Sequence, residues 1–302
     1  MTPDVPRGAA GTAAASPPGQ AGPAIAPRRW AALAVLCMAQ FMLTVDDTIV
    51  NIALPSIRSD LHFPVSSLAW VADSYWLVFG GFLLLGGRLG DVIGRRRLLL
   101  VGLALFTLAS LADGLSTGQA ALVTARGAQG LGSALVSPAA LALIALIFTE
   151  PGERARALGV WGAIAGVGGA LGVLLGGTIT DLLSWRWVFL INVPIGAAVL
   201  AAVPRLVRAE QRDTRAGFSL AGAATVTAGL LALVYGALGA PQRGWSSPAT
   251  LAALAAAASL LAVFAVLERR QAAPLIPLHF LRERITRTAG ITGLFVPSAF
   301  AG

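Results

Sequence analysis

Lysine is absent from the 302 residues, so all 22 basic side chains are arginines. Its absence excludes the G-x-x-x-x-G-K-[ST] phosphate loop, and with it an ATP-driving domain of that type. Charge is scarce, at 12% of residues where a soluble domain carries roughly 25%. The single cysteine, Cys37, lies inside an apolar run, so no intrachain disulfide can form and it reads as a small packing residue. The two histidines, His62 and His279, are far apart in the chain, and no H-E-x-x-H, C-x-x-C or G-x-S-x-G pattern occurs. Hydrolytic and metal-dependent chemistry therefore have no residues behind them, and no catalytic residue, metal site or cofactor is expected.

Apolar residues fill the space that charge leaves: 56% of the chain is hydrophobic and the mean hydropathy is +0.77. A water-soluble core cannot absorb that much apolar surface. The net charge of +8 would suggest nucleic acid in a soluble protein, but the arginines sit in short clusters between long apolar runs and read as topology signals. No nucleic-acid partner is expected; the lipid bilayer is. Residues 1–29, rich in Ala, Gly and Pro and without the apolar stretch of a signal peptide, read as a disordered cytoplasmic tail.

A spanning helix needs about 20 mostly apolar residues. Stretches of that kind occur near 30–54, 68–87, 98–115, 119–147, 157–181, 186–204, 217–239 and 249–267, and a further apolar run begins near 288. Placing the N-terminus inside gives that side Arg7, Arg28, Arg29, Arg88, Arg95, Arg96, Arg97, Arg154, Arg156, Arg205, Arg208, Arg212, Arg215, Arg269, Arg270, Arg282, Arg284 and Arg287. The outside receives Arg58, Arg186 and Arg243. So one-sided an arrangement fits the positive-inside rule and predicts a multi-pass protein of the cell (plasma or inner) membrane with a cytoplasmic N-terminus. The glycine-rich run at 166–172 lets helix backbones approach closely; it fails as a dinucleotide fingerprint because Leu171 breaks the G-x-G-x-x-G spacing. The segment PLIPLHFLRERITR at 274–287 fits either a short interfacial helix or plain loop.

Within the spans, ionisable residues carry the functional signal, because a charge near the bilayer centre costs at least about 2.5 to 3.5 kcal/mol. Those residues are Asp46, Asp47, Asp73 and Arg126. Counting 1.5 Å per residue places Asp46 in the outer third of the first span, with Asp73 and Arg126 one to two turns into the second and fourth. Three helices thus bring charge of both signs to one depth. A buried pocket in which Arg126 offsets one or two carboxylates would let a proton and a substrate compete for the same group. The alternative is that the three aspartates face an aqueous vestibule and are simply solvated.

Four stretches carry a resemblance: GRLGDVIGRRR at 87–97, VDDTIVNIALP at 45–55, RGAQGLGSA at 126–134, and the fifth and sixth spans with Gly159 to Gly177 and WRWVFLINVPIG at 185–196. Together they resemble the fourteen-helix drug:proton antiporter branch of the major facilitator superfamily, over about residues 30–287. The resemblance implies an all-α membrane fold with an N-terminal six-helix transporter bundle at 30–204, a cytoplasmic linker at 205–216 and two inserted transmembrane helices at 217–267. A cytoplasmic or interfacial linker at 268–287 and the start of a ninth helix at 288–302 follow. It also implies that the second, C-terminal bundle is missing and that residues 1–302 do not transport on their own.

By the same resemblance, Gly87, Arg88, Gly90, Asp91, Gly94, Arg95 and Arg96 match the inner gate loop, and Arg126 the arginine implicated in proton transfer. Gly159, Gly168, Gly172, Gly176 and Gly177 match the glycine motif said to favour export. Independently, Gly90 and Gly94 permit a sharp turn and Asp91 can bond Arg95 and Arg96. Val173 stands where that motif usually carries proline, and Asp73 where the family usually has a neutral residue. The implied function is proton-coupled efflux of drug-like or antibiotic-like small organic compounds, with protons as the second partner and no enzymatic activity. A solute importer on the same fold and a non-transporting remnant are the alternatives.

Overall fold

The computed structural model describes residues 26–208 and 220–269, and these form helices joined by short turns, with no strand among them. In chain order the helices are α1 (Ala26–Leu61), α2 (Val65–Leu68), α3 (Trp70–Ile93), α4 (Arg95–Gly114), α5 (Gln119–Ile147), α6 (Pro151–Leu182), α7 (Arg186–Leu190), α8 (Asn192–Leu206), α9 (Leu220–Arg243) and α10 (Pro248–Arg269). With α2–α3 and α7–α8 each counted as one interrupted stretch, eight are long and apolar enough to cross a membrane. The protein is a multi-pass membrane protein. Its outer surface fits lipid: Leu108, Val173, Leu174 and Val266 are exposed along the helices, and Trp30, Trp187 and Trp245 near helix ends. The apolar run from about 288 and the segment 274–287 lie outside the described residues.

Local chemistry sets the breaks. Gly94 adopts φ +94° between α3 and α4, a conformation that an L side chain rarely takes. The chain turns there alone, while Gly90 stays helical and leaves room for Arg95 and Leu98 of the next helix. At α7–α8 the interruption at Ile191 follows from Pro194, which has no N–H for the Leu190 carbonyl four residues back. α1 continues seven residues beyond the expected end at 54, through Pro55, because Ser56, Arg58, Ser59 and Asp60 form a polar last turn. It is closed by His62 in the left-handed region and a bond from the Phe63 amide to the Arg58 carbonyl (3.1 Å). Asp46 therefore lies near the middle of α1, about 30 Å from Ala26 and about 22 Å from Leu61, rather than in an outer third.

Helices α1, α3, α4, α5, α6 and α7–α8 form one bundle, in which α4 packs most closely on α5, α5 on α3 and α1 on α6; α9 and α10 pair with each other and α9 leans on α3. The α1–α6 seam is tight because Gly168, Gly172 and Gly176, one turn apart, face Thr44, Thr48 and Ile52, which share the same spacing. A side chain at Gly168 would sit 3.1 Å from Thr44 Cβ, and one at Gly176 would sit 3.0 Å from Ile52 Cβ. Two apolar cores fill the bundle. One gathers Leu36, Met42, Leu99, Phe106, Phe148 and Val203 toward the Arg29 end. The other gathers Ile49, Ile57, Val71, Leu122, Trp185 and Phe189 toward the Asp60 end. Ion pairs tie both ends: Arg29 to Glu153 (3.0 Å) and Arg186 to Asp60 (2.7 Å).

Candidate functional site

Between the two apolar cores lies a polar layer. Asp46 is fully buried on α1, and both its oxygens are saturated. Its Oδ2 accepts a bond from Arg126 Nη1 of α5 (2.8 Å); its Oδ1 accepts from Gln129 Nε2 of α5 (2.8 Å) and from Asn192 Nδ2 of α8 (2.7 Å). Arg126, 1% exposed, is held on its other side by Nε donating to the Val71 carbonyl of α3 (3.0 Å). Its Nη1 also bonds Gln129 Oε1, and its guanidinium stands 4.5 Å from the centre of the Tyr75 ring. Gln129 Nε2 further donates to Ser110 Oγ of α4 (2.7 Å), and the Tyr75 hydroxyl donates to Ser133 Oγ (2.9 Å). Every spanning element of the bundle except α6 contributes a side chain. A lone arginine in an apolar interior is costly; here the planar guanidinium is fixed by a carboxylate, a carbonyl, an amide and an aromatic face.

The structure brings Asp46 and Arg126 together and separates the other two aspartates from them. Asp47, one residue on and rotated about 100° around α1, turns away from the sealed pair. It is half-buried and lines a cavity of about 170 Å³ together with Gln40, Thr44, Tyr75, Trp76 and Phe79. Tyr75, Trp76 and Phe79 form an aromatic cluster with ring centroids 5.7 to 6.0 Å apart. Asp73 lies apart, half-buried in the first turn of α3.

At the Gly94 corner, Asp91 holds two arginines: Arg95 Nη2 to its Oδ1 (3.0 Å) and Arg88 Nη1 to its Oδ2 (3.3 Å). Arg96, expected to join Asp91, is turned to the other side of α4 and donates to the Pro204 carbonyl of α8 (3.1 Å). Gly87 is in ordinary contact with Pro138 of α5. Leu83, Gly87, Arg88, Asp91, Pro138 and Phe264 border a second cavity, of about 470 Å³, that reaches α9 and α10. Of the glycine motif, Gly168, Gly172 and Gly176 form the α1 seam, while Gly159 and Gly177 have open space before them.

Sequence reasoning missed Gln129, Asn192, Ser110 and Tyr75, which complete the network, and Asp113 of α4, which is fully buried beside it. Spacing could have found Gln129, one turn after Arg126 on the same face. Asn192 was visible as an amide inside an apolar run.

A sequence model described as the Major Facilitator Superfamily matches residues 36–217. Among curated proteins, the puromycin resistance protein pur8 of Streptomyces alboniger is 42% identical over 259 residues, covering 86% of this chain and 51% of that protein. The cephamycin export protein CmcT of Amycolatopsis lactamdurans is 45% identical, covering 82% of this chain and 51% of that protein. The lincomycin resistance protein of Streptomyces lincolnensis is 42% identical, covering 90% and 56%. The chain spans about half the length of these relatives. Among solved structures, that of the POT family transporter PepTSo superposes with a TM-score of 0.55 at 16% identity, covering 79% of this chain and 52% of that one, a likeness of fold alone.

Proposed function

The chain belongs to the Major Facilitator Superfamily, and we propose that it acts as the N-terminal portion of a proton-coupled exporter of amphipathic organic compounds in the plasma membrane, with its N-terminus in the cytoplasm. One observation carries the reading: adjacent residues on α1 put a sealed carboxylate–guanidinium pair, Asp46–Arg126, directly behind a half-open aromatic cavity that holds a second carboxylate, Asp47. A flat, cationic organic molecule finds in that cavity what it needs, ring faces at Tyr75, Trp76 and Phe79 and a counter-charge at Asp47. Proton and substrate then compete at neighbouring carboxyls of one helix, which is the physical basis of exchange.

The names of the relatives, two resistance proteins and an export protein for chemically different antibiotics, support outward movement of such compounds. Alternating access in this fold rocks one bundle against another around a midplane site, so the bundle of residues 30–204 works with a second one. Asp91, clamped by Arg88 and Arg95, then serves as the gate at the cytoplasmic end. Neither enzymatic chemistry nor a cofactor has a place in this reading.

Binding tests it with the chain itself. Ethidium added to the purified chain in weakly buffered nanodiscs is expected to bind saturably and release protons, and Asp47→Asn is expected to abolish the proton release while the fold survives. Saturable binding with no proton release from the unaltered chain, or release unchanged in Asp47→Asn, would refute the competition.

A further inference from the structure

Asp113, on the last turn of α4, has no exposed surface, and neither of its carboxyl oxygens has a hydrogen-bond partner among the described residues. It stands within electrostatic reach of both Arg126 and Asp46. Ser110, one turn earlier on the same helix, already belongs to the Asp46 network through Gln129. The sealed layer therefore holds one cation and two fully buried carboxyls. Asp46 takes the cation together with two amide donors, so a charge on Asp113 would be left uncompensated in a low-dielectric interior, which is strongly unfavourable.

The charged groups facing this end of α4 are Arg126 from α5, Asp46 from α1 and Arg186 from α7. Arg186 is already committed to Asp60 (2.7 Å) and to the Ser116 carbonyl (3.3 Å). From α3 and α8 come Tyr75, whose hydroxyl is bonded to Ser133, and the neutral Asn192.

We propose that Asp113 is a second proton-holding group of this site: neutral while Arg126 pairs with Asp46, and the carboxylate that takes over Arg126 when Asp46 is protonated. The step is a plain proton transfer. The proton that Asp113 gives up is the one Asp46 takes as its ion pair with Arg126 opens, and Asp113 becomes the counter-ion, so the layer keeps one proton, one positive and one negative charge throughout. An arginine shared between two carboxyls needs no unpaired buried charge at either end of the exchange, which a single Asp46–Arg126 pair cannot achieve. The proposal rests on the proton-coupled reading of the site, but its test uses protein without substrate or gradient, so a failure of transport does not decide it.

Infrared spectroscopy of the full chain in lipid nanodiscs at neutral pH reads it. A carbonyl stretch of a protonated, non-hydrogen-bonded carboxyl is expected in the unaltered protein and absent in Asp113→Asn. In Asp46→Asn the same band is expected to disappear, because Asp113 ionises to pair with Arg126. Stability supplies the second readout: Asp113→Asn and Asp46→Asn are each expected to unfold within a few degrees of the unaltered protein. The double variant, which leaves Arg126 without a carboxylate, is expected to fall well below the sum of the two. The proposal is overturned if the band is missing at the outset, survives in Asp113→Asn, or persists unchanged in Asp46→Asn. It is equally overturned if the double variant is additive, or if Asp46→Asn fails to fold although Asp113 is there to compensate.

Discussion

Arg126→Met is the perturbation that asks most of the polar layer. Methionine keeps a flexible apolar stem of similar reach and removes the guanidinium, so Asp46 loses the cation bonded to it at 2.8 Å while retaining Gln129 and Asn192. Removing one partner of a buried pair costs about 3 to 5 kcal/mol. The lost bond to the Val71 carbonyl contributes about 0.5 to 1.5 and the contact over Tyr75 about 0.5 to 2 kcal/mol, but these overlap with the pair and are not added in full. The two remaining amide donors and the volume of methionine work in the opposite direction, so the expected net loss is about 3 kcal/mol, or a little over a hundredfold in the unfolding equilibrium. Reversible unfolding in mixed micelles with increasing SDS fraction measures it. Lowering the pH lets the stranded Asp46 take up a proton, so the loss should shrink in acid. Adding Asp46→Asn to Arg126→Met removes the stranded charge, and the double variant should be more stable than Arg126→Met alone. A loss below about 1 kcal/mol, or strict additivity within about 0.5 kcal/mol, would refute the claim that this pair bears the charge balance of the layer.

Three further outcomes follow from the packing. Gly172→Leu should loosen the α1–α6 seam and lower stability by about 1 to 3 kcal/mol, whereas Gly177→Leu, with open space before it, should be near neutral; equal effects in the same SDS titration would contradict the assignment of faces. Gly94→Ala, forced to φ +94°, should cost about 1 to 3 kcal/mol by thermal unfolding. A value near zero would mean that the α3–α4 corner adopts another conformation. Asp91→Asn should cost less than about 1 kcal/mol, because its pairs with Arg88 and Arg95 are about one-third exposed, and should instead raise the labelling rate of a cysteine placed at Ile93. Unchanged labelling would leave Asp91 without a gating role.

The span count was legible because an apolar run as long as a bilayer is thick can be buried along its whole length by lipid and by little else. Arginine bias added an expected orientation. Asp46 and Arg126 could be brought to one depth by counting residues, since rise per residue is fixed; what depth cannot give is azimuth. Asp47 and Asp73 share that depth, yet one faces an aromatic cavity and the other lies apart in the first turn of α3. Rotation around a helix was not readable either for the glycine motif, of which Gly168, Gly172 and Gly176 face Thr44, Thr48 and Ile52 while Gly159 and Gly177 face open space. Asp113 escaped notice for a different reason. It falls two residues from the end of its expected span, where a carboxylate normally meets water, and only the covering of that end by α7 makes it a core residue.

That covering also accounts for the burial of the polar layer. Gly114 lets Leu190 and the Arg186 backbone close over the end of α4, and Trp185 and Arg186 are pinned there by Asp60 (3.0 and 2.7 Å). Asp60 belongs to the polar turn by which α1 outruns its apolar stretch, so the same extension that places Asp46 at mid-helix supplies the latch above it. With the Asp60 end latched and the opposite core packed around Phe106 and Phe148, the cavity at Asp47, which shares Tyr75 with the layer, borders it from the side. For the exchange proposed above, access to a sealed pair must come from one side at a time: a group that saw water from both sides at once would conduct protons without moving anything else. In the proposed exchange the Asp46–Asp47 dipeptide would divide the work through helix geometry, one carboxyl turned inward to hold charge and its neighbour turned toward the cavity to meet the substrate.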